Sequence, residues 1–510
     1  MAARACGMAV AGVAGAPTAA SRPAPVARAP GLCQGRAVSN PGQPHVVVVG
    51  GGIAGLAAAF FLREAPCRVT VLEGSPRPGG KLRVSEIAGV AVDEGAEALL
   101  ARRPEGTGLA AAAGLAGQLV WPGTTVARIW SRGRMCPLPR RQVLGVPADL
   151  TELAGTGLVS EDGMARARQD LGLPATGRDG DVPVAGFVAA RFGPEVVDRL
   201  VDPLLAAVYA GRSEELSFDA TLPALAAESR KHASLAEAAT AVLPDPAGPG
   251  PAATPVFTTL AGGLGTLPAA VAAASGSCVR TGAMVRGLAR TATGWRLTVG
   301  SAHDAEYLAA DAVILAVPAA PAARLLGGVP GASAAMAALQ EIRYASMAIV
   351  TLAYPAAAFP GPLEGSGYLV PAADGRAVKA VTFSTVKWPH LADGGAGPVI
   401  VRCSLGRVGE EALLQSGDAE LAGLAAADLA AATGASGAPL ATRVTRWGGG
   451  LPQYTVGHLD RVARIRSAVA AQPGLAVCGA AYDGIGIPAC VATARAAAAQ
   501  IAAHLSDDRQ

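Results

Sequence analysis

The chain has 510 residues, 51% hydrophobic and 16% charged, a globular composition too long for one core that points to two or three domains. A formal net charge of +3, with basic residues spread along the chain, excludes a nucleic-acid-binding signature, and the longest apolar run, 46–62, falls short of the roughly 18 to 20 residues a membrane span requires. Eight cysteines without CxxC spacing and six scattered histidines argue against a disulfide framework or a metal site and leave reduced, buried thiols in a cytoplasmic protein as the expectation.

Residues 1–44 contain no Asp or Glu, four arginines and many Ala, Pro and Gly, the composition of a disordered leader. A transit peptide would share the lack of acids but would be richer in serine. The folded protein is expected to begin near His45. There HVVVVGGGIAGLAAAFFLREAPCRVTVLE (45–73) reads as strand, turn, helix and strand. Gly50, Gly52 and Gly55 are the glycines of GxGxxG: one for the tight turn, one for close approach of backbone to a pyrophosphate, one for helix–strand packing. Ile53 and Ala54 open the helix, whose N-terminus favours negative charge, and Glu73 stands where a ribose hydroxyl should bind.

The next stretch, GSPRPGGKLR, places Gly79, Gly80 and Lys81 in a turn. VARIWSRGRMCPLP (126–139) alternates like a strand, and 145–244 carries Ala/Leu stretches at helical spacing broken by Gly and Pro, a helical insertion ended by a Pro/Gly-rich linker at 243–255. Strand character returns through DAVILAVP (311–318), TFSTVKWPH (382–390) and VIVRCSLGRVG (399–409). The chain closes with GLAVCGAAYDGIGIPACVATARAAAAQIAAHL (474–505), again strand, glycine turn and long helix. Gly484, Gly486 and that helix N-terminus could face a second part of the same ligand. No Ser/His/Asp or Cys/His constellation and no convincingly spaced carboxylate pair emerges.

The glycine doublet followed by a base resembles the second flavin-contacting loop of the FAD-containing amine oxidase superfamily. Three further stretches, RFGPEVVDRLVDPLLAAVYAG (191–211), FTTLAGGLGTLP (257–268) and LPQYTVGH (451–458), make the chain from His45 to Leu505 resemble the protoporphyrinogen and coproporphyrinogen III oxidase family. The resemblance implies an α/β architecture: a Rossmann-type FAD-binding domain in discontinuous segments (45–95, 256–310 and 441–510), an interleaved α+β substrate domain (96–144 and 311–440) and a helical domain (145–255) that is membrane-associated in some members.

It also implies an enzyme that removes six electrons from a porphyrinogen in three flavin cycles, with oxygen as acceptor, hydrogen peroxide as by-product and product hand-off to a ferrochelatase. By motif match, Gly79, Gly80, Lys81, Val285, Gly479, Gly486 and Ile487 join Gly50, Gly52, Ile53, Ala54, Gly55 and Glu73 around FAD. Arg128 is implied in propionate binding, with Tyr368 and Leu369 lining the macrocycle and Lys387 and Arg402 as further cations. GAEALLARRPE (95–105), HASLAEA (232–238) and FSTVKWPH (383–390) resemble the actinobacterial branch associated with coproporphyrinogen III. Protoporphyrinogen IX is the alternative substrate. An amine oxidase would need an aromatic cage at the flavin, and with 4% aromatics only Tyr482 lies near the C-terminal motif. A non-catalytic flavoprotein is the remaining reading, disfavoured by the intact glycines.

Overall fold

The computed structural model describes residues 42–175, 178, 180–244, 255–395 and 397–507. The expected leader and the Pro/Gly linker therefore lie almost wholly outside the described residues. His45–Val49 is the central strand of a five-stranded parallel sheet in the order Cys278–Arg280, Arg68–Leu72, His45–Val49, Ala312–Leu315, Leu475–Val477. A valine run suits that place, because β-branched side chains pack on a pleated surface and a central parallel strand is covered on both faces. Val46 and Val48 enter one core with the helices Ile53–Phe61, Leu267–Ser275 and Ile487–Asp507. Val47 and Val49 enter the other, with Ala319–Leu326, Ser333–Gln340 and His458–Ala470. All four valines are at most 4% exposed, and burying each contributes about 1.5–3 kcal/mol. On the first helix Ala57, Ala58 and Ala59 are fully buried, small enough to let neighbouring helices come close.

A second, seven-stranded sheet runs Ala441–Pro452, Tyr344–Tyr354, Val399–Leu405, Val378–Phe383, Gly367–Leu369, Ala127–Ser131, Arg134–Pro137. It is antiparallel except between Gly367–Leu369 and Ala127–Ser131. Helix Asp418–Thr433 covers one face, packing Leu421, Ala425 and Leu429 against Val350, Val401 and Cys403. The opposite face carries Ile400 and Arg402 toward the segment 91–97 and Leu369 toward the helical region. That region has its own core around Phe192, Leu200, Leu205 and Phe218. Asp149, Ser160, Ser217 and Ser234 accept backbone N–H groups there and start four of its helices, as N-cap side chains do.

Two domain boundaries move. Ala312–Leu315, assigned by the sequence to the substrate domain, pairs in parallel with the valine strand and with Leu475–Val477. This four-residue strand is buried at every position, and the parallel sheet covers it on both faces. Conversely, Ala441–Pro452, assigned to the flavin domain, is the edge strand of the larger sheet, pairing with Tyr344–Tyr354.

Candidate functional site

The turn after the valine strand is shaped by its glycines. Gly50 has φ +108°, and a Cβ there would stand 2.5 Å from the Ala316 carbonyl oxygen. A Cβ on Gly55 would collide with the Gly50 carbonyl, whereas one on Gly52 would meet nothing within 4 Å. Gly52 thus faces an opening. Helix Ile53–Phe61 starts at that opening with no side-chain cap and no acidic residue in its first turn, unlike the four capped helices of the helical region. Its leading N–H groups and the positive end of its dipole make an anion site.

Other segments close around the opening. Gly79 N–H donates to the Gly51 carbonyl at 2.8 Å, and a Cβ on Gly80 would lie 3.4 Å from Gly52 Cα. The Glu73 carboxylate accepts from Gly51 N at 2.7 Å and from Ser75 N at 2.8 Å. A carboxylate has about four acceptor positions, so two remain for ligand hydroxyls. Ala283 N–H donates to the Glu73 carbonyl at 2.8 Å, which brings the strand beginning at Val285 to the same end of the site. From the C-terminal motif, Gly479 approaches Ala54, its would-be Cβ 3.7 Å from Ala54 Cβ, and its N–H donates to Thr493 Oγ1 at 3.0 Å. Gly486 precedes the helix that begins at Ile487. Burial lowers the Lys81 ammonium from its ordinary value, and Cys490 in that helix is its electrostatic neighbour; among the described residues no carboxylate pairs with it. An uncapped helix N-terminus, an open glycine, a cation and an acid with spare acceptor positions fit a diphosphate joined to a ribose. If Glu73 holds ribose hydroxyls, Glu73→Ala should weaken FAD binding about tenfold, the effect of losing charged hydrogen bonds worth roughly 1.5 kcal/mol, as read by fluorescence titration of the apoprotein. An unchanged dissociation constant would contradict that role.

The expected substrate residues fall in three places. Tyr368 pairs in register with Arg128, and both line a concavity of ≈ 350 Å³ with Met135, Leu363 and Phe383 on the face covered by Asp418–Thr433. Leu369, the next residue, points to the opposite face as strand alternation demands, and packs against the helical core together with Ile485 of the glycine turn. Arg128 is ion-paired with the exposed Glu364 at 2.6 Å.

Lys387 and Arg402 meet at Glu97. Lys387 Nζ lies 2.9 Å from Glu97 Oε1, and Arg402 donates to Glu97 Oε2 and, at 2.6 Å, to the Gly95 carbonyl. Both face one internal carboxylate. Burial alone would raise the Glu97 carboxyl, but the two cations more than offset it and hold it well below the usual carboxylate range.

Glu97 was missed because nothing in GAEALL marks that acid as buried. Asp93 was missed too: it accepts from Leu264 N and Gly265 N at 2.9 Å each, which explains the glycines of FTTLAGGLGTLP, and burial raises its carboxyl to about 6 despite those two amides. Among the described residues the buried Tyr482 hydroxyl has no hydrogen-bond partner, and the residue is 1% exposed, so its ring is a core element. Among the described residues no group of three His, Cys, Asp or Glu converges as a metal site.

Residues 53–502 match the family described as flavin containing amine oxidoreductase. The chain is 39% identical to a coproporphyrinogen III oxidase of Mycobacterium bovis over 88% of this chain and 95% of that one. It is 31% identical to a protoporphyrinogen oxidase of Bos taurus over 89% and 98% of the two chains. A solved structure from Exiguobacterium sp. 255-15 superposes with a TM-score of 0.78 at 31% identity, covering 90% of this chain and 99% of that chain. The match runs from the first helix of the glycine fingerprint into the last helix of the fold, so it takes in most of the cradle, the larger sheet and the helical region. The chain belongs to the flavin-containing amine oxidoreductase family and is an FAD-dependent oxidoreductase.

Proposed function

We propose that the protein oxidises coproporphyrinogen III to coproporphyrin III in porphyrin synthesis, with oxygen as acceptor and hydrogen peroxide as by-product. The observation that carries this is the similarity to a coproporphyrinogen III oxidase over nearly the whole of both chains. FAD, when bound, supplies the electron acceptor for hydride from a methylene bridge and returns the electrons to oxygen. The chain's own residues bind, orient and exclude water. In this reading Gly50, Gly52, Ile53, Ala54 and Gly55 hold the diphosphate, Glu73 the ribose, Val285 the adenine, and Gly79, Gly80, Lys81, Gly479, Gly486 and Ile487 the remainder. The bovine relative favours protoporphyrinogen IX as the second reading. A side-by-side anaerobic assay of the two porphyrinogens decides between them.

The macrocycle lies, on this proposal, on the sheet face that carries Leu369, because Ile485 and the C-terminal glycine turn stand on that side. Arg102 and Arg103 are exposed just before helix Pro104–Ala110, Arg103 paired with Glu105 at 2.8 Å, and Gly106 of that helix sits against Pro488, at the start of the last helix. They are the cations we assign to the propionates. Leu369→Asp is expected to raise KM for the porphyrinogen at least about tenfold with FAD content intact, whereas Arg128→Ala should change KM by less than about threefold. The reverse ranking would put the macrocycle on the other face.

We further infer a cytoplasmic location, hand-off of product to a ferrochelatase and peripheral membrane contact through the helical region. No described helix is long and apolar enough to cross a membrane.

A further inference from the structure

LPQYTVGH (451–458) contains two buried aromatic side chains, Tyr454 and His458, that no step of the proposed chemistry uses. Tyr454 is 1% exposed, and its hydroxyl donates to the Ala480 carbonyl at 2.6 Å while accepting from Gly484 N at 2.8 Å. One oxygen thus ties both ends of the turn before the last helix. His458, fully buried, stacks on Tyr454 with ring centroids 3.8 Å apart and an interplanar angle of 14°. Its Nε2 lies 2.9 Å from the Tyr482 carbonyl, so that nitrogen carries the proton and donates, and Nδ1 is buried without a partner among the described residues. Between them the two rings engage three backbone groups of the segment 480–484. That segment cannot hold itself by regular structure, since Gly479 and Gly484 have φ of +122° and +141°.

The other side of the stretch is fastened to the helical region. Ser217 N donates to the Tyr454 carbonyl at 2.8 Å, and Val456 N donates to the Glu215 carbonyl at 3.1 Å. Asp181 accepts from Gly457 N and from Ser217 Oγ, both at 2.8 Å, while the buried Gln453 Nε2 donates to the Tyr209 carbonyl at 2.8 Å. Core filling alone would be served by phenylalanine at 454. The hydroxyl is there for two backbone groups of the turn.

We propose that Tyr454 and His458 are positioning residues: a strut, anchored on the helical region, that fixes the glycine turn 479–486 against the flavin. This rests on the reading that the turn faces FAD. Burial keeps His458 neutral, with its pKa lowered to about 4, so the strut does not titrate in the working range.

Tyr454→Phe keeps the ring stack and removes only the oxygen. The holoprotein is expected to show FAD affinity weakened about tenfold, a changed visible circular dichroism of the bound flavin, and a lowered kcat with KM for the porphyrinogen unchanged. A purely structural tyrosine would lower the unfolding midpoint but leave the flavin dichroism alone, so wild-type dichroism and FAD affinity in Tyr454→Phe overturn the strut whatever happens to stability. Gly484→Ala, whose Cβ would stand 2.8 Å from Ala489 Cβ, distorts the turn directly and separates the two claims. If Gly484→Ala shifts both flavin readouts and Tyr454→Phe shifts neither, the turn faces the flavin and the strut fails. If Gly484→Ala shifts neither, the underlying placement of the turn fails as well. Should Tyr454→Phe yield no folded protein, His458→Phe, which retains the stack and loses the bond to Tyr482, is judged by the same readouts.

Discussion

Gly52→Val is expected to fold like the parent and to bind FAD at least about a hundredfold more weakly, a loss of roughly 2.7 kcal/mol. A Cβ at Gly52 meets nothing within 4 Å among the described residues, so the substitution costs the fold little. The space it enters is the space the uncapped helix of Ile53–Phe61 faces, so the added isopropyl group and the diphosphate compete for one volume. Gly55→Ala is the contrasting case. Its methyl would drive into the Gly50 carbonyl and push the first helix off the valine strand, costing about 1–3 kcal/mol of fold stability as overpacking does. Differential scanning calorimetry of the apoproteins, alongside FAD titration, separates the two. If Gly52→Val binds FAD normally, the opening is not the cofactor's place.

Glu97→Gln should destabilise the fold by about 3 kcal/mol near neutral pH, because removing one member of a buried ionic cluster leaves the others uncompensated. Arg402 is 7% exposed and Lys387 17% in their side chains, and both would keep their charge facing a neutral amide. The folded carboxyl sits below its unfolded value, so its contribution is complete above the unfolded pKa of about 4.3 and fades as pH falls from there toward the folded value. Urea unfolding at neutral pH should show the full difference between parent and variant, and the two should converge in acid. A constant gap down to the lowest accessible pH would mean that Glu97 stabilises by packing instead of charge. The same cluster joins the larger sheet to the segment 91–97 beside the cofactor domain, so activity is expected to fall with stability.

What the sequence disclosed follows from the range of each interaction. The fingerprint was legible because its parts are local: a strand, a turn with positive φ and a helix N-terminus lie within Val46–Phe61, and Glu73 closes the next strand. Glu97 was not legible, since its partners are 290 and 305 residues away and only the folded sheet brings them within reach. The placement of Ala312–Leu315 was misjudged because an apolar strand reads the same whichever buried sheet receives it; pairing with the valine strand settles it. Tyr368 and Leu369 read as one wall because they are neighbours in sequence. In a strand, neighbours face opposite ways, and the sheet puts a full layer between them. The stretch LPQYTVGH is recognisable as a signature, but its physical task, a hydroxyl and an imidazole holding a turn across the fold, depends on partners that only folding brings near.

Anaerobic mixing of the FAD-loaded protein with substoichiometric coproporphyrinogen III tests the proposed activity most directly. The flavin absorbance is expected to bleach, with about three flavins reduced for each coproporphyrin III formed, since the conversion releases six electrons and each flavin takes two. Admission of oxygen should restore the yellow colour and yield hydrogen peroxide. A flavin that stays oxidised with coproporphyrinogen III and with protoporphyrinogen IX alike would contradict the assignment as a porphyrinogen oxidase.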